Sequence, residues 1–149
     1  MAKGKKATVA DAEVVMKLYD LRRESELRKA RNFVIFQFQP KSVDDIMKIS
    51  QAYGTQENAW LRQCFSYWEN AATLLLNGVV HPDLFFAWNG ELVFIYAKFQ
   101  PFLKELREKT GFPQFLASME KAANSSPEIK KRVQMLQKRF AQPAPAARG

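Results

Sequence analysis

One cysteine and one histidine are all that this chain of 149 residues holds of those two types. A single thiol, Cys64, excludes an internal disulfide, and one Cys with one His leaves too few ligands for a zinc site of the usual kind. The sequence also lacks a glycine-rich phosphate loop and a Gly-x-Ser-x-Gly elbow. Cys64 and His81 formally offer a nucleophile and a base, but Cys64 falls within Trp60, Leu61, Cys64, Phe65 and Trp68, a pattern that suits a small core hydrophobe. No catalytic residue, metal or cofactor is expected, and the sequence leans away from an enzyme. Long apolar runs are missing too. The longest, Ala71 to Val80, is broken by Thr73, Asn77 and Gly78 and falls well short of the roughly 20 residues a bilayer requires. The start, MAKGKKAT, is charged with no apolar stretch after it, so no secretory leader is expected and the cytoplasm is the expected location.

What is present is an ordinary globular composition, 47% hydrophobic and 26% charged, so wholesale disorder is excluded and one domain with a real core is expected. Twelve Phe, four Tyr and three Trp supply the bulk of that core. The net charge of +8 is unevenly placed. Lys3, Lys5 and Lys6 lie at one end, and Lys130, Lys131, Arg132, Lys138, Arg139 and Arg148 oppose only Glu128 at the other, while residues 7–127 are electrically balanced. Residues 1–7 read as a basic disordered terminus, 8–141 as a single helical domain, and 142–149 as a disordered Pro/Ala tail.

Helical spacing runs through the whole domain, which predicts an all-α, compact antiparallel bundle of about six to seven helices. Thr8 with Asp11 resembles a capping box ahead of Val14, Leu18 and Leu21, and the polar run Arg22 to Ser25 is placed to kink or split that helix. A second helix is expected from Glu26 to about Phe38. Phe33 to Phe36 has strand-like residues but no evident partner strand. Ser42 with Asp45 opens a short helix, with Gly54 as its expected C′ residue. Leu61, Cys64, Phe65, Trp68, Ala71, Ala72, Leu75 and Leu76 then mark a long amphipathic helix from Thr55 to Asn77, stopped by Gly78. Pro82 opens a short turn through Trp88. Asn89-Gly90 could join a hairpin, but Leu92, Ile95, Tyr96, Phe99, Phe102, Leu103 and Leu106 keep helical period, with a kink expected at Ala97 or Lys98 from Pro101. Phe115, Leu116, Met119 and Ala122 or Ala123 suggest another helix, and Ser126-Pro127-Glu128 begins the last.

Three polar groups stand out. Glu69 borders the apolar stripe and needs a partner there, since an unpaired buried charge is very unfavourable. Either an arginine (Arg62, Arg22, Arg23 or Arg31) forms a structural ion pair with it, or Glu69 is a ligand-binding carboxylate or general acid in a pocket with Arg62 and Tyr67. His81 and Asp83 flank Pro82, as a pair or as helix-start chemistry. The basic ends, above all Lys130, Lys131, Arg132, Lys138 and Arg139, suit a nucleic-acid backbone, an anionic membrane surface, a protein partner or plain solvation.

Tyr67-Trp68-Glu69, Leu74 to Gly78, Asp83-Leu84-Phe85 and Leu103-Lys104-Glu105-Leu106-Arg107 together resemble a family of small bacterial helical proteins classed as a domain of unknown function, over about residues 55–123. The resemblance implies a helical fold and supplies no activity. Some relatives of that family look membrane-tethered through an added N-terminal helix, which this sequence does not show. The function expected is a non-enzymatic macromolecule-interaction module. The alternative is a small-molecule-binding protein or enzyme with a pocket near Glu69.

Overall fold

The computed structural model describes residues 5–143, which form eight α-helices and no strand. These are α1 (Val9–Arg22), α2 (Ser25–Asn32), α3 (Val43–Ser50), α4 (Gln56–Leu76), α5 (Pro82–Trp88), α6 (Gly90–Thr110), α7 (Ala117–Ala123) and α8 (Pro127–Phe140). The bundle thus has more helices than the six to seven expected, with the polar run at Arg22–Ser25 separating α1 from α2. Residues 5–7, 142 and 143 carry no regular structure, and the outer parts of both basic ends lie outside the described residues.

Local chemistry accounts for most helix ends. Thr8 and Asp11, and again Ser42 and Asp45, form reciprocal capping boxes. Thr55 caps α4, and Ser126 caps α8 ahead of Pro127. Gly78 takes φ +71 just past α4, and its N–H and that of Val79 return to the carbonyls of Leu75 and Leu74 at 3.1 and 3.0 Å. Gly54 also has positive φ but is not the C′ residue of α3, which ends at Ser50 with Gln51 as its C-cap, and instead shapes the turn into α4. Phe33–Gln37 is helical as expected, but as a π turn rather than a continuation of α2. Phe115 lies outside α7, which starts two residues later.

The two 21-residue helices α4 and α6 form the spine. α4 packs against α2, α3 and α7; α6 packs against α3, α7 and α8; α1 covers α5. Phe65 of α4 meets Phe99 of α6 edge-on, with ring centres 4.8 Å apart. α6 runs through Pro101, whose ring nitrogen cannot donate to the Ala97 carbonyl. Gln137 of α8 donates to that carbonyl instead, at 3.3 Å, so the proline that weakens α6 also provides the seat for α8.

Polar ties lock the other side. Arg31 of α2 holds Glu91 of α6 with two hydrogen bonds, 2.8 Å from Nε and 2.6 Å from Nη2, and the Trp68 indole N–H reaches the same carboxylate at 3.1 Å. Arg22 is buried, donates to Asn89 at 2.6 Å and to the Trp88 carbonyl at 3.2 Å, and lies over the rings of Tyr19 and Trp68. Arg31→Met removes the fork and leaves Glu91 largely buried without its cation. Chemical denaturation should show a loss of about 2–3 kcal/mol, whereas an exposed pair such as Lys29–Glu26 should contribute less than about 1 kcal/mol.

Candidate functional site

A groove of about 760 Å³ opens between α3, α4, the end of α6 and the segment joining α6 to α7. Ile46, Leu61, Phe65, Leu106, Phe115 and Leu116 give it an apolar floor, while Arg62, Gln63, Ser66, Glu69, Thr110 and Gln114 supply polar groups. The wall between α6 and α7 is an unusual piece of backbone. Leu116 sits at φ +53, the one non-glycine positive φ among the described residues, in a conformation costing about 1–2 kcal/mol. Its side chain is buried, and the backbone on either side is gripped. Arg107 donates to the Phe115 carbonyl through Nε at 3.0 Å and Nη2 at 2.8 Å, and its Nη1 pairs with Glu120 at 3.2 Å.

Glu69 grips the other side. Its two oxygens accept the N–H groups of Ser118 at 2.8 Å and Met119 at 3.0 Å. These are N2 and N3 of α7, whose own N-cap residue, Leu116, has no side-chain oxygen to offer. Glu69 therefore caps α7 from another helix, and its charge lies where the helix dipole favours an anion. The expected ion pair is not what satisfies it. Glu69 makes no salt bridge among the described residues; Arg31 pairs with Glu91, Arg22 with Asn89, and Arg62 with Asn58.

The three residues expected to share a pocket do not all do so. Arg62 and Glu69 both line the groove, seven positions apart on one strip of α4, but Tyr67 is turned away and donates its hydroxyl to the Leu18 carbonyl of α1. Burial there holds the Tyr67 phenol above its ordinary range. His81 and Asp83 do not form a carboxylate–imidazole pair: His81 Nδ1 accepts the Asp83 N–H at 3.2 Å, Nε2 faces the Lys5 carbonyl, and the His81 N–H donates to Asp11 at 2.7 Å. Cys64 is fully buried, and burial pushes its thiol up, aided by the nearby Glu91 charge. Among the described residues no group of three or more His, Cys, Asp or Glu gathers as metal ligands would, and no helix is long and apolar enough to cross a membrane.

On α8, Lys130, Lys131, Lys138 and Arg139 are exposed and Arg132 is half-buried. None of the five forms an ion pair among the described residues. Ile129 and Val133 face the core. At about 100° per residue, Lys131, Lys138 and Arg139 share the outward strip with exposed Met135, while Lys130 falls on the opposite edge and the Arg132 guanidinium packs inward against Gly90 at the start of α6.

Sequence reasoning passed over Lys98. Its amine donates to the carbonyls of Val34, at 2.7 Å, and Ile35, at 3.3 Å, and to that of Phe38, closing the end of the π turn without any carboxylate. Burial draws its pKa down to about 8. The available signal was a lysine inside the apolar run Leu92 to Phe102.

A protein-family model described as a domain of unknown function (DUF4760) matches residues 7–126, and the chain belongs to that family. No curated protein and no solved structure matches it. The matched residues contain the whole groove, with Glu69 and Arg107, and stop just before α8.

Glu69→Gln keeps one acceptor oxygen where α7 uses two, and should lower stability by about 1–2 kcal/mol in chemical denaturation, with Glu69→Ala costing more. Lys98→Met leaves three carbonyls without their donor and should cost about 1–3 kcal/mol. The native Lys98 amine releases its proton near pH 8, before the unfolded chain does near its ordinary 10.5, so the unfolded state binds more protons in that window. Wild-type stability, measured against Lys98→Met, should rise across it.

Proposed function

We propose that this member of the DUF4760 family is a non-enzymatic interaction module that docks an acidic protein surface through α8. What carries the proposal is the outward strip of that helix, where Lys131, Lys138 and Arg139 lie around exposed Met135 with no acidic side chain paired to them among the described residues. Cations left unpaired beside an exposed thioether suit a partner that offers carboxylates around an apolar contact, because Met and Arg are enriched where proteins meet. The remainder of the domain is charge-balanced, so the field that steers such a partner comes from the ends of the chain. A protein partner fits better than a nucleic-acid backbone, which would call on phosphate contacts alone and gain nothing from Met135. The cytoplasm suits the module, since an interior free thiol such as Cys64 stays reduced there. The pocket-based alternative centred on Glu69 loses its main support, because both oxygens of that carboxylate are engaged by α7.

A photo-cross-linking residue at Met135, used in the native cell, should capture a protein, and the double variant Lys131→Glu, Lys138→Glu should lose it while its circular dichroism stays unchanged. Capture no stronger than from a probe at exposed Glu13 on α1, or capture of nucleic acid alone, would contradict the proposal.

A further inference from the structure

We infer that the groove beside α4 is a binding site for a small amphipathic monocarboxylate, an apolar body ending in one carboxylate, with Arg62 as the residue that receives the charge. The inference is independent of α8 and its partner. The volume of about 760 Å³ lies within the range of about 300–1,000 Å³ typical of small-molecule sites. Leu61, Phe65, Leu106 and Phe115 offer an apolar bed, and Phe112 at the mouth is 55% exposed, a large ring with much of its surface uncovered.

The charge complement is specific. Arg62 has no carboxylate partner among the described residues. Its Nε donates to Asn58 Oδ1 at 3.0 Å, and Asn58 is itself fully buried, its amide tied to the carbonyls of Ile49 at 3.0 Å and Ser50 at 2.9 Å. The guanidinium is thus steadied from behind by a fixed acceptor, while Nη1 and Nη2 have no acceptor among the described residues. Those two nitrogens are the ones that a carboxylate engages in a charge-assisted fork.

The opposite end of the strip sets the selectivity. Glu69 lies seven residues further along α4, about 10 Å at 1.5 Å per residue, where its carboxylate caps α7. A second carboxylate at that end would meet a like charge. A monocarboxylate is therefore favoured over a dicarboxylate of similar length, and over a neutral molecule with the same apolar body.

Decanoate, below its micelle concentration, is a suitable probe in calorimetric titration against the full chain, with sebacate and decanol as comparators. Saturable binding of decanoate, weaker binding of the other two, and a loss of about tenfold or more in Arg62→Gln are expected, the loss matching one charge-assisted hydrogen-bonded contact. Ser66→Trp, which fills the groove from an exposed position, should abolish binding without lowering the melting temperature of the free protein. No saturable binding, equal binding to Arg62→Gln, or preference for sebacate would overturn the inference. So would sedimentation showing that a second copy of the chain occupies the groove and that Ser66→Trp breaks the dimer.

Discussion

A carboxylate on one helix closing the open end of another is the contact on which the grooved face of this domain depends. Glu69 accepts the second and third N–H groups of α7, and without that contact α7 would begin at a leucine in a left-handed conformation with the Ser118 and Met119 N–H groups left without an acceptor. Arg107 holds the same segment from α6 by the Phe115 carbonyl and Glu120. The strained Leu116 is tolerated because both neighbouring stretches are fixed and its side chain is buried, and the result is a stiff wall for the groove. Two residues that carried the family resemblance in the sequence, Glu69 and Arg107, thus converge on one seven-residue helix from two different helices of the spine.

Charge is handled differently inside and outside. Within the bundle every prominent ionic group is matched: Arg31 by Glu91, Arg22 by Asn89 and a carbonyl, Lys98 by three carbonyls, Glu69 by two N–H groups. Such groups gain by their hydrogen bonds and fix how the helices are mutually placed, since each joins elements far apart in the chain. The cations of α8 are not matched in this way, and they lie beyond the residues that the family model covers. The groove lies entirely within them.

Elements governed by neighbours in the chain were readable from the sequence. The boxes at Thr8–Asp11 and Ser42–Asp45, the glycine stop at Gly78 and the Ser126-Pro127 start all act over three or four residues, and they stand where the spacing put them. The fold class followed from helical periodicity, and the family from the resemblance carried by segments such as Tyr67 to Glu69 and Leu103 to Arg107. What was not readable acts over long separations or through the backbone. Glu69 was visible as a charge in need of a partner, but the partner is a pair of main-chain N–H groups 49 and 50 positions away, which no residue type advertises. Tyr67 was grouped with Glu69 because they are close in sequence, yet two residues on a helix differ by about 200° in direction, and the tyrosine faces α1. The same limit hid Lys98, whose acceptors belong to a π turn some 60 residues earlier.

If Glu69 is the cap of α7, the amides of Ser118 and Met119 are closed to solvent in the native protein even though they lie in the first turn of a short helix, where N–H groups ordinarily exchange fast. Residue-resolved amide hydrogen exchange on the full chain measures this directly. Slow exchange at Ser118 and Met119, comparable to the interior of α4 and lost in Glu69→Ala, is the predicted result. Exchange at the rate of an open helix end, unchanged by Glu69→Ala, would mean that the carboxylate is free for another role.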